Sequence, residues 1–244
     1  MIPAPQVEDD GLAGEAYTSV RNRILRGELV MGQCLSRRKL AAELGMSFLP
    51  VSEALLRLEH EGLLESRPRA GTRVRIPTRE DIEGHYVVRE ALEVKSAILF
   101  AERASRPECS ELMKLAVRVD LLYQQVEVNR STYLILHERL HRRIAECTGC
   151  QALTDAINHV CALASVWGCA VRSQELIPAT HESLTKALAA GDATAAAEAM
   201  LRHLRSEMDA SLNGLKLLFE LQKQKPATYS RTFKARGQEG SGVR

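Results

Sequence analysis

Aromatic side chains are scarce: Phe, Tyr and Trp make up 4% of the 244 residues, with a single Trp. A core for a chain of this length must therefore come from Leu, Ala, Val and Ile, which favours helices packed on helices. Long apolar runs are also missing, because Arg, Glu or His interrupts each one before the roughly 20 residues that a membrane helix needs. The opening MIPAPQVEDD lacks a basic start followed by an apolar stretch, and the six cysteines (Cys34, Cys109, Cys147, Cys150, Cys161, Cys169) show no disulfide-framework spacing. A cytoplasmic protein with no membrane partner is expected. A strong charge of one sign is absent too. With a net charge of +2, any surface for a polyanion has to be local.

What is present is a change of pattern along the chain. Apolar spacing predicts a helix over Gly14–Arg26, stopped by Gly27. A second fits 36–44, with Ser36 as cap and Gly45 as terminator, and a third fits 47–61, capped by Ser47 and stopped by Gly62. Two alternating segments, 63–66 and 72–76, flank a turn-rich stretch and predict a β-hairpin. From Thr78 to about Gln222 strand signals vanish, and breaks near Pro107, Asn129, Gly149, Pro178 and Gly191-Asp192 divide the rest into about six helices. The expected fold class is mainly α. Residues 14–76 form the first domain, 78–222 an all-helical second one, and 1–13 and 223–244 are expected to be disordered.

Charge singles out the first domain. Between Arg21 and Arg75 there are eleven Lys or Arg against six Glu, on elements small enough to straddle a major groove. The run LSRRKLAAELGMSFLPVSEALLRLEHEGLL (35–64), closed by AGTRV (70–74), resembles the GntR family of winged helix-turn-helix regulators. The resemblance implies double-stranded DNA as partner, with an inverted-repeat operator read by a homodimer. It places Arg38, Ser47, Phe48, Pro50 and Ser52 near the groove and Gly71, Thr72 and Arg73 in the wing. The family usually carries an arginine just after the capping Ser or Thr and another just before the Glu at position 53. This chain has Phe48 and Ser52 there, so a non-typical operator is expected; Phe48 could meet a thymine methyl or pack against the wing.

The second half resembles the FCD ligand-binding domain of the FadR-type branch of that family, through REALE (89–93), LHRRIA (140–145), GCQAL (149–153), HESL (181–184), ALAAGD (187–192) and MLRHL (200–204). His137 and His141 lie four apart on one helix face and can clamp one ion. The resemblance adds His181 and His203, and puts His137 where metal-binding members have Asp. Four neutral imidazoles favour Zn²⁺ or Ni²⁺ and leave the ion's charge to be balanced by an anion, a small organic acid effector. Arg89 is expected either to hold that carboxylate or to pair with a Glu of its own helix.

Two other readings stand beside this one. His137-Glu138-Arg139-Leu140-His141 spells the H-E-x-x-H of zinc hydrolases, although no third His follows shortly after. The helical domain could also only dimerise, leaving a constitutive repressor. Cys147-x-x-Cys150 lacks a second pair and reads as small apolar residues at a helix end.

Overall fold

The computed structural model describes residues 11–67, 71–124, 126–170, 181–216 and 219–220. The expected disorder of the two ends therefore falls largely outside the described residues, as does the break near Pro178. The first unit contains α1 (Gly11–Leu25), β1 (Cys34–Leu35), α2 (Arg37–Leu44), α3 (Phe48–His60), β2 (Leu64–Arg67) and β3 (Gly71–Val74). The three strands form an antiparallel sheet in the order β1-β3-β2, with Cys34 opposite Arg73 and Leu64 opposite Val74. The hairpin matches its expectation, whereas β1 has too few residues to show a period.

Caps set the helix ends. The Ser36 hydroxyl accepts from the Lys39 N–H, and Gly45 closes α2 at φ 65°, a left-handed conformation that glycine adopts without strain. Ala16, Val20 and Ile24 of α1 then pack on Val51, Leu55 and Leu58 of α3 in one buried cluster. That cluster also takes in Leu134 and Val166 from the second half of the chain.

The second unit follows as α4 (Arg79–Arg103), α5 (Arg106–Tyr123), α6 (Val126–Glu146), α7 (Gln151–Ala170), α8 (His181–Ala189) and α9 (Ala193–Gly214). Asn129 lies inside α6, so no break falls there; α5 ends at Tyr123 and α6 begins at Val126. Pro107 sits in the first turn of α5, where its missing N–H costs nothing. Thr78 and Asp81 form a reciprocal capping box at the start of α4. Thr78→Ala should lower stability by about 0.5–2 kcal/mol in urea titrations; no change would mean that α4 is held by packing alone. The core around Phe100, Leu140 and Leu188 is aliphatic apart from a few rings. Met31 and Leu163 pack against both cores. No helix among the described residues is long and apolar enough to cross a membrane.

Candidate metal centre and DNA-facing surface

The two histidines expected from spacing and the two added by the resemblance converge in the helical unit. His137 and His141 come from α6, His181 from the first turn of α8 and His203 from α9, and a fifth group, Glu207, joins them one turn after His203. The Nε2 atoms of His137 and His203 lie 2.5 and 3.0 Å from Glu207 Oε1. His141 Nε2 is 3.3 Å from those of both His137 and His203. One donor atom from each of His137, His181, His203 and Glu207 falls within 4.8 Å of the others. Ligands held about 2.0–2.1 Å from one ion must stand at about 3.0–3.4 Å from one another, so much of this spacing suits a shared cation.

The orientation of the rings agrees with that chemistry. His181 Nδ1 is tied to Asp120 Oδ1 at 2.6 Å, while its Nε2 is buried with no hydrogen-bond partner among the described residues. Asp120 is itself held by the His181 and Glu182 N–H groups at 3.0 Å. His141 Nδ1 is bonded to Glu93. A carboxylate behind an imidazole selects its tautomer and leaves the other nitrogen for a metal. Burial drives His137 down to about 3 and also lowers His203, so both offer lone pairs at neutral pH. Burial opposes charge on Glu207, yet His137 and Arg89 hold it well below the usual carboxylate range. His141 goes the other way, to about 9, because Glu93 and Glu207 outweigh its burial.

Arg89 is 1% exposed. Its Nε donates to Glu93 at 2.6 Å, four residues on, and a terminal nitrogen donates to Glu207 at 2.7 Å. The Glu93 bond is the same-helix ion pair expected as the alternative to effector binding, and the Glu207 bond ties α4 to α9. Glu138 is ion-paired with Arg21 of α1; in a hydrolase this carboxylate would have to be directed at a water on the metal. Spacing singled out neither Glu93 nor Asp120. Glu207 could have been found, since His203 and Glu207 repeat the i, i+4 relation of His137 and His141.

Near this network His85 carries a buried Nε2 without a hydrogen-bond partner among the described residues, with its ring edge-on to Trp167 at 4.9 Å. Burial, reinforced by Arg89, lowers it from 6.5 to about 4. As pH drops through that interval the unfolded chain gains a proton that the folded chain refuses, so stability falls. His85→Phe should therefore lose less stability than the parent between pH 7 and 5 in urea titrations. Equal losses would rule out this contribution.

On the first unit, Arg38 of α2 is exposed, as are Ser47, Phe48 and Gly71, the last at φ 77° on the hairpin. Other expected contacts are turned inward. Pro50 and Ser52 lie on the buried face of α3, and Thr72 is buried with its hydroxyl 2.9 Å from that of Ser66. Their side chains face the core because Pro50 shares the helix stripe of Ala54 and Leu58, and Thr72 the inner face of the sheet. Arg73 is paired with Glu65 at 2.5 Å.

Comparison with known proteins agrees with this architecture. The family model described as bacterial regulatory proteins, gntR family, matches residues 12–74, and the FCD domain model matches residues 85–206, half of the chain. The HTH-type transcriptional repressor RspR of Escherichia coli K12 is 23% identical over 198 residues, covering 78% of this chain and 85% of that protein. A regulator from an unstable DNA locus of Streptomyces ambofaciens is 26% identical over 199 residues, covering 80% and 83%. The structure of E. coli McbR/YncC shares the fold, with a TM-score of 0.68 at 19% identity over 87% of this chain and 99% of that one. Both curated relatives are named as transcription regulators, as is the family whose model matches the first unit, which sets aside the hydrolase reading of the H-E-x-x-H run. The chain belongs to the GntR family of transcription regulators, in the branch that carries an FCD domain.

Proposed function

We propose that the chain works as a homodimer on an inverted-repeat operator, and that a small carboxylate effector controls its DNA affinity from a Zn²⁺ or Ni²⁺ centre. His137, His141, His181, His203 and Glu207 would hold the ion. The observation that carries this reading is the buried Nε2 of His181, without a hydrogen-bond partner among the described residues, beside the imidazoles of His137 and His203 and the carboxylate of Glu207. When bound, the ion supplies a Lewis-acidic position for an anionic oxygen. Asp120 and Glu93 orient His181 and His141, and Arg89 anchors Glu93 and Glu207. In this reading Arg89 supports the centre and does not hold the effector, since two of its nitrogens are already committed. Glu207 offsets one of the ion's two charges, and the effector carboxylate offsets the other.

Helix α6 offers a route to the first unit. It carries His137 and His141, and it also carries Leu134, in the first unit's core, and Glu138, paired with Arg21. An effector alters DNA affinity only if it prefers one arrangement of the two units. The approach to DNA is assigned to Arg38, Ser47 and Phe48, with Gly71 and Arg73 in the wing. The test is fluorescence anisotropy with duplex from the gene's own upstream region against a scrambled duplex, over a salt series, with metal content measured on the same protein. Sequence-preferring binding with a steep negative salt slope, shifted by an organic acid only in metal-loaded protein, is the expected result. DNA affinity indifferent to every acid and to metal would indicate a constitutive repressor.

A further inference from the structure

The surface of α3 is unusual for a helix that reads bases. Phe48, Leu49 and Leu56 are 52%, 66% and 54% exposed, and at 100° per residue they fall within an arc of about 100°. None of them joins the buried core that the opposite face of α3 builds. Apart from His60 in the last turn, the other exposed groups of α3 are poor donors to bases. Glu53 only accepts. Arg57 is bonded to Glu61 at 3.3 Å and lies over the Tyr17 ring at 4.2 Å. Ser47 alone brings a hydroxyl to the first turn, and it makes no side-chain cap bond.

We infer that α3 recognises its operator mainly through thymine methyl groups, with Phe48, Leu49 and Leu56 as the contacting residues. The inference rests on the DNA-binding reading and deepens it. Guanine shows two acceptors, O6 and N7, in the major groove and calls for a donor such as arginine; thymine shows a methyl group, the apolar feature of that groove. Glu53 can accept from cytosine N4 beside it. The surroundings point to DNA as the occupant of this apolar stripe, because the elements packed beside α3 carry exposed cations. Arg38 on α2 makes no ion pair among the described residues, Lys39 reaches Glu43 only at 3.7 Å, and Arg67 on the hairpin reaches Glu65 only at 3.6 Å. Apolar contacts then meet the groove floor while arginine and lysine meet the phosphates on either side.

The experiment selects duplexes from a randomised library with the full chain, then measures anisotropy for the best duplex and for copies with single thymines replaced by deoxyuridine. That replacement removes the methyl and leaves base pairing intact. Loss of one buried methyl should weaken binding about fourfold. Two or more positions per half-site should show this, and the loss at a given position should vanish in Phe48→Ala or Leu49→Ala protein. Both side chains are exposed, so these variants leave the core untouched, and Phe48→Arg should move the selected half-site towards guanine. Indifference to every deoxyuridine, combined with weakening by 7-deazaguanine, overturns the inference. So does salt-steep binding without any selected sequence, which leaves the DNA-binding reading standing. No salt-dependent duplex binding at all removes that reading, and this one with it.

Discussion

Arg89→Ala is expected to destabilise the metal-free protein by about 3–5 kcal/mol, because it strands two buried carboxylates that now share one guanidinium. Burial pushes Glu93 up, but Arg89 and His141 hold it at about 2, so its charged form depends on these partners. The depressed value means that this stabilisation is present above the ordinary glutamate range and is lost as pH falls towards 2. In the variant Glu93 takes up a proton more readily, so the penalty should shrink as the solution is acidified. Zn²⁺ should shrink it as well, by supplying positive charge to Glu207. Lysine cannot span both carboxylates with a planar fork, and Arg89→Lys should fall in between. Urea titrations at two pH values, with and without Zn²⁺, measure all of this. A penalty under about 1 kcal/mol would show that the network is not what holds α4 against α9.

Zn²⁺ or Ni²⁺ at a hundredfold excess over its Kd should stabilise the protein by about 2.7 kcal/mol, a rise of roughly 5–10 °C in Tm for a chain of this size. His181→Ala and His203→Ala should abolish the rise. Asp120→Asn leaves every ligand in place and should cost about 10–100-fold in affinity through the orientation of His181. The order of effects separates a metal centre from a buried polar cluster, since only in the former does a residue with no predicted ligating atom weaken binding by a graded amount. A Tm unmoved by either ion in the parent protein would remove the metal from the proposed function.

Much of this arrangement is legible in residue order, for local reasons. Ser36, Gly45 and Gly62 mark helix ends because capping is chemistry within four residues, Ser47 precedes α3 without a side-chain cap bond, and the hairpin shows its two-residue period. The inward turn of Pro50 is equally legible, from the stripe it shares with Ala54 and Leu58. Long-range partners leave no such trace. Asp120 lies 61 residues from His181, and Glu93 lies 48 from His141, and each looks like an ordinary charge on a helix surface. Leu134 and Val166 belong to the apolar stripes of their own helices, and nothing local says that they complete the core of another unit.

That sharing limits how far the reading head can be treated as a cassette. Met31 and Leu163 touch both cores, and Leu134 and Val166 close the first one from outside it. A fragment cut at the hairpin would present raw apolar surface to water where those residues sat. A chimaera joining residues 11–76 to another regulator's sensor would need matching residues at that seam. Substitutions in the helical unit are thus constrained by more than its own core, because part of its surface must continue to seal the first unit.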